Sequence, residues 1–274
     1  MPYLRIAILD VGHGDFIYAE TPLGDRLVID VGSGDVIPAK FLSKISTLSE
    51  LTITHPHTDH FDDIIDFSKK KVNSFRCPDL THFADATIGW KKSDKEKIKC
   101  LRNLKATNSS DNNAVKVGQG FSHTVWYPSN IDYNDPNTSS VITTLSYGGT
   151  KILFGGDLPD SGWQDLLKKP GFISAIKGTT VFKVPHHGRK EGCSEALFKY
   201  ISPKLCVISD KPLSKDNQNT VATSWYSQRT LGCTIVGQKE KRKVLSTRSD
   251  KSIFIKINEE GTFWVYPDTC WRTD

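Results

Sequence analysis

No stretch of this 274-residue sequence approaches the roughly 18 consecutive apolar residues of a membrane-spanning helix, which excludes a helical membrane anchor within it. The opening "MPYLRIAILDVGHGD" carries acids where a secretory signal would be purely apolar, so the expected location is the cytoplasm. A strand pattern directly after Met1 also points to a stand-alone gene product. No CxxC occurs: Cys77, Cys100, Cys193, Cys206, Cys233 and Cys270 are scattered singly, which argues against a zinc ribbon or a disulfide scaffold and for reduced, buried thiols. Dense basicity is missing too. A formal charge of +5 attracts polyanions only mildly, and the lysine-rich runs at 69–71, 91–99 and 239–243 read as solvated faces. Nor is there a clear nucleophile, since Cys193 and Ser33 read as packing and turn residues.

With 37% hydrophobic and 10% aromatic residues, the chain can bury a substantial core. Short runs rich in Val, Ile and Phe recur from "YLRIAILD", "DFIYAE" and "RLVIDV" through "KILFGGD", "TVFKVPHH" and "KLCVISD" to "SIFIKI", and they read as strands. Helical spacing appears near 36–46, 61–70, 93–105, 160–169, 193–201 and 221–231. This alternation predicts α/β layers. Residues 14–31 read strand, turn, strand, Asp30; residues 139–157 repeat the scheme and end on Asp157. Such a duplication predicts two sheets packed face to face with helices outside, in one domain over 1–274 whose halves meet near 135/136. The Asn-, Ser- and Gly-rich segment 106–138 between them must hold long loops.

The densest chemistry lies in "LTITHPHTDHFDD", residues 51–63. His55, His57, Asp59 and His60 follow an apolar strand, and residues spaced by two on the way out of a strand share a direction. Imidazoles with a carboxylate form the ligand set of zinc or another borderline divalent metal. A polar strand-to-helix loop would explain one or two of these residues, not four in six. Partners recur at other strand ends. Asp157 in "LFGGDLPD" is placed to bridge two ions, His186 and His187 lie in "VFKVPHHGRKEG", and Asp30 in "LVIDVGSGD" is placed to orient a histidine or a metal-bound water.

"THPHTDH", "GGD" and "VPHHG" together resemble the metallo-β-lactamase fold superfamily of metal-dependent hydrolases over essentially the whole chain. More narrowly, "ILDVGHGDFIYAETPLGDRLVIDVG", "NTSSVITTLSYGGTKILFGGD", "VFKVPHHG" and "ISPKLCVIS" resemble the soluble hydrolase domain of the ComEC/Rec2 competence proteins. The resemblance implies a four-layer αββα sandwich, a dinuclear site between the sheets and hydrolysis by a metal-bridging hydroxide. One ion would be held by His55 and His57; the other by Asp59, His60 and a histidine of the "HHG" pair, preferably His186, with His187 as the alternative; Asp157 would bridge. Asp59, Asp157 and Asp30 become the expected catalytic carboxylates. Asn137 stands where the superfamily usually has a further histidine and is the expected weak ligand beside His55 and His57, with His82 and His123 as less favoured substitutes. The usual glycines after "DH" are Asp62 and Asp63 here, which would repel a polyanion unless they face away. Arg189 and Lys190 are the expected phosphate contacts. Relatives carry an Asn and a His after the strand equivalent to "KLCVISD"; this chain has Asn217 and Asn219 and no histidine, leaving Asn219 as a candidate substrate contact.

The leading expectation is therefore a phosphodiesterase or nuclease acting on DNA or a nucleotide with two divalent ions, Zn or Mn, with Mg the harder alternative. Hydrolysis of a small ester, thioester or lactam is disfavoured by Asn137, and a non-catalytic regulatory component by the completeness of the ligand set. ComEC proteins fuse this domain to a membrane channel whose spans this sequence does not contain, so the chain is expected to be either a domain cut from a larger protein or a stand-alone relative with a protein partner on another chain.

Overall fold

In the first strand Leu4, Ile6 and Ile8 face one way and Ala7 the other, and both sets are buried. A strand apolar on both sides must lie inside a layered structure. The computed structural model describes residues 2–83, 91–108, 113–212 and 220–267. Its strands are β1 (Leu4–Ile8), β2 (Ile17–Glu20), β3 (Arg26–Ile29), β4 (Thr47–Thr52), β5 (Lys71–Arg76), β6 (Phe121–Trp126), β7 (Ile142–Tyr147), β8 (Thr150–Phe154), β9 (Thr179–Lys183), β10 (Leu205–Ile208), β11 (Cys233–Thr234), β12 (Lys241–Arg242), β13 (Val244–Ser246), β14 (Ile253–Ile257) and β15 (Phe263–Pro267).

Seven strands form one mixed sheet in the order β15-β14-β1-β2-β3-β4-β5, and six form a second, β13-β10-β9-β8-β7-β6. Hairpins build the antiparallel parts, and helical crossovers make β3-β4-β5 and β8-β9-β10 parallel. Between the sheets lies one apolar cluster fed by both: Ile6, Ile17 and Ile255 from the first, and Leu145, Ile152, Val181 and Val207 from the second. The outer face of the first sheet is covered by the helix Lys95–Thr107, which buries Ile98, Leu101 and Leu104 at helical spacing. On the second, Trp163 of the helix Asp160–Leu166 and Tyr226 of Thr223–Gln228 cover Leu153, Phe182 and Ile208. The result is the four-layer αββα sandwich that the motif resemblance implies.

Helices form at all six marked positions, most of them shorter than the spacing implied, because tight turns intervene. Five strands escaped the sequence reading: β5, β11, β12, β13 and β15. β5 follows a lysine run and alternates exposed and buried residues, as an edge strand does. At the far end, the turn Gly148-Gly149 has φ of 56° and 87°, as a two-residue hairpin turn requires. A Cβ on Gly148 would lie 2.3 Å from the Gly261 nitrogen, so only glycine lets the β7–β8 hairpin touch the β14–β15 hairpin. No helix among the described residues is long and apolar enough to cross a membrane.

Candidate metal centre

Five chain segments converge at one rim of the sandwich, each just past a strand end: His13 after β1, Asp30 after β3, residues 54–60 after β4, Asp157 after β8, and His186–His187 after β9. Their turns need unusual backbone. Asp30, His186 and His187 all have φ near +50° to +58°, a region non-glycine residues seldom occupy, and such positions cluster at functional sites. Two glycines explain how the segments approach. A Cβ on Gly14 or Gly32 would come within 2.3 or 2.4 Å of the Asp59 carbonyl oxygen, so the β1–β2 and β3 loops form a side-chain-free cup around Asp59.

Within the cup the donor atoms face one another. Asp157 Oδ2 lies 3.3 Å from His187 Nε2, 3.4 Å from His60 Nε2 and 3.8 Å from His55 Nε2. Asp59 Oδ2 is 3.5 Å from His187 Nε2, and His55 Nε2 is 2.9 Å from His57 Nδ1. Two ligands bound about 2.0–2.1 Å from one tetrahedral ion stand roughly 3.4 Å apart, so most of these spacings suit shared coordination. The buried His60 Nε2, His187 Nε2 and Asp157 Oδ1 make no hydrogen bond among the described residues. Orphaned donors and acceptors converging in a buried pocket are costly unless something else satisfies them, and the donor set fits divalent cations. Ligand atoms of His55, His60 and Asp157 lie within 4.8 Å of one another, as do those of His13, Asp59 and His187.

The second ring of contacts sets the aim. Asp30, fully buried, accepts hydrogen bonds from the Thr54 backbone at 2.7 Å and hydroxyl at 2.8 Å, and its Oδ2 is 2.7 Å from His60 Nδ1, leaving Nε2 to face Asp157. Enclosed in this way, Asp30 meets the cluster through His60. His187 is held the same way, with Nδ1 2.9 Å from the Ser209 carbonyl.

Burial drives His55 well below the ordinary histidine range, and also lowers His57 and His186, so these three imidazoles are neutral. His60 and His187 go the other way. Burial opposes their charge, but Asp157, with Asp30 and Asp59 for His60, outweighs it; His60 rises well above its usual value and His187 to about 10. Asp157 is held well below the carboxylate range because His187 and His60 overcome its burial, and Asp59 is lowered by His60 and His187 against the same penalty.

Several sequence expectations change. Of the "HHG" pair, His187 rather than the preferred His186 reaches the carboxylates; consecutive left-handed residues turn the first ring aside, although His186 stays half-buried beside the cluster. Arg189 is not placed to meet substrate: its guanidinium is buried, 3.2 Å from Asp210 Oδ2 and 3.1 Å from Thr220 Oγ1. Lys190 is exposed in the following turn. Asn217 and Asn219 lie outside the described residues. Asp62 and Asp63 face away from the cluster, toward Lys97 and the Ala39 nitrogen respectively, so they do not burden it with charge. His123 stands against Glu50 at 3.1 Å, and His82 is exposed beside Asp79. His13 was unread in the sequence, since one histidine between two glycines resembles an ordinary turn; its Nε2 is 3.7 Å from Asp59 Oδ2.

The four layers match known architecture. The metallo-β-lactamase fold protein YhfI from Bacillus subtilis superposes with a TM-score of 0.53 at 11% identity, over 97% of this chain and 100% of that one. CmlA, a diiron β-hydroxylase from Streptomyces venezuelae, gives 0.45 at 15% identity over 75% of this chain and 44% of its own. The short form of human tRNase Z gives 0.43 at 13%, over 74% and 91%. No protein-family model matches the sequence, and no curated protein matches it significantly. The chain has the metallo-β-lactamase fold, with a candidate divalent-metal cluster at the rim of its sandwich.

Proposed function

We propose that this chain is a metal-dependent hydrolase that cleaves phosphodiesters, acting on DNA or on a nucleotide. The observation that carries the reading is the convergence of bare histidine nitrogens and carboxylate oxygens around Asp157 at one solvent-reachable rim. His55, His57, His60, His187, Asp59 and Asp157 would hold two divalent ions, with Asn137 a neutral, weaker donor beside the first. Such ions acidify water toward neutral pH and stabilise charge building on the attacked group. The chain's own residues supply the rest. Asp59, with its side chain 30% exposed against 4% for Asp157, is the carboxylate open to substrate and is placed to take a proton at its oxygen turned away from the imidazoles. Next to it opens a cleft of about 370 Å³ that includes His13, Lys211, Arg248 and Lys251, opposed by Asp10 and Asp35. Arg248 is paired with Asp210 and Lys251 with Asp10, so Lys211 and the exposed Lys190 after the "HHG" turn are the cations offered to an anionic substrate.

The motif resemblance to the ComEC/Rec2 hydrolase domain supports DNA as substrate. We further read the chain as one catalytic unit of two duplicated halves that works in the cytoplasm, its partner being a separate protein. Zinc and manganese suit the donors better than magnesium, because imidazole nitrogens dominate. The direct test assays purified protein with Zn²⁺, Mn²⁺ or Mg²⁺ on single-stranded DNA, duplex DNA and cyclic nucleotides, beside Asp59→Ala and His187→Ala. Stoichiometric metal without cleavage of any phosphodiester would refute the reading.

Two further outcomes are expected. Asp30→Ala, by freeing His60 to rotate, is expected to weaken metal affinity about 10- to 100-fold, as loss of outer-sphere partners does, measured by chelator competition. Metal affinity should also rise with pH. His187 is raised to about 10, so in the metal-free protein it keeps its proton at pH 7 and a cation must displace it. Affinity then gains up to about tenfold per pH unit for each displaced proton and levels off above about pH 10. Titrations at several pH values, with proton release followed by indicator dye, check this; a flat profile would contradict it.

A further inference from the structure

His13 has the geometry of a ligand rather than of a turn residue. Its Nδ1 is 3.0 Å from Asp210 Oδ1, and its ring centroid lies 4.2 Å from that of His187. Asp210 is fully buried and immobilised: Arg189 and Arg248 each approach Oδ2 at 3.2 Å, the Lys211 backbone N–H donates to Oδ1, and the Thr247 hydroxyl holds the Asp210 backbone. A carboxylate fixed in this way accepts a hydrogen bond from His13 Nδ1–H, the tautomer whose Nε2 carries the lone pair, and Nε2 lies 3.7 Å from Asp59 Oδ2. The arrangement repeats, on the opposite side of the cluster, the pairing of Asp30 with His60. His187 Nε2, buried and without a hydrogen bond among the described residues, faces the same space. Approach is enforced by the backbone, since Gly14 carries no Cβ to hold the loop away from the Asp59 carbonyl.

We propose that His13 is a further metal ligand, completing with Asp59 and His187 one of the two cation positions, while His55, His57 and His60 serve the other and Asp157 stands between them. The inference rests on the metal reading given above. It makes the second position rich in nitrogen, so it takes a borderline divalent ion such as Zn²⁺ or Co²⁺ in preference to Mg²⁺. It also gives the buried Asp210–Arg189–Arg248 cluster a task, holding one imidazole in the tautomer that binds.

Titration of the full chain with Co²⁺, read by visible absorption and chelator competition, is the test. His13→Ala is expected to weaken one of the two positions at least about tenfold and to alter its spectrum while leaving the other unchanged. Two ions bound with unaltered constants and an unaltered spectrum would overturn the assignment. If the variant fails to fold, isotope-labelled wild type loaded with cadmium decides: a nitrogen–cadmium coupling at His13 Nε2 is expected, and its absence beside a coupled His187 defeats the proposal. A wild type that takes up no metal at all would defeat the broader metal reading instead.

Discussion

Asp157→Ala is expected to lower metal-dependent hydrolysis at least about a thousandfold and to leave the protein with fewer than two bound ions. Its Oδ2 lies 3.3 Å from His187, 3.4 Å from His60 and 3.8 Å from His55, so it faces imidazoles from both sheets. Its side chain is almost fully buried, so water cannot substitute for the lost charge. Charge stabilisation by metal ions amounts to several kcal/mol, and each 1.36 kcal/mol is tenfold in rate, which gives the thousandfold figure at about 4 kcal/mol. Turnover measured beside elemental analysis separates the effects. Retention of two ions with activity within tenfold of wild type would show that Asp157 does not join the two positions.

Asp15→Asn, beside Asp30 and His60 at the edge of the metal cluster, is expected to cost the fold heavily. Asp15 and Lys183 form an ion pair buried between the two sheets, with side chains 1% and 0% exposed. Removing one partner strands the other charge in the interior, at a cost of about 3–5 kcal/mol. In a chain of this size that is a melting temperature lower by about 10 °C. Lys183→Met alone should cost a similar amount. The double variant should recover much of the loss, because neither side is then left with an uncompensated charge. Thermal melts of all four proteins close the cycle; losses that simply add would mean that the two groups do not compensate each other.

The sequence exposed the layers because its strands are short, apolar and regularly separated, and because helices bury residues at their own spacing. Strands β5 and β15 were hidden for a physical reason: each sits at a sheet edge, where half-buried faces dilute the apolar pattern. In the site, the cluster from His55 to His60 stood out because four ligand-type residues in six exceed what a turn needs. Choosing between His186 and His187 required backbone angles that composition does not carry. Arg189 looked like a surface cation because Asp210, which neutralises it, lies 21 residues away. His13 was missed for the opposite reason: its context of glycines is common, and only the position of Asp59 gives it meaning.

The cup formed by Gly14 and Gly32 around the Asp59 carbonyl carries a consequence for heredity. Any side chain at either position must displace the backbone that aims Asp59 and His60, although neither glycine touches a ligand atom. The set of single-codon changes able to inactivate the protein is therefore larger than its ligand set. A screen for loss-of-function alleles should recover glycine codons 14 and 32 as readily as those of the histidines.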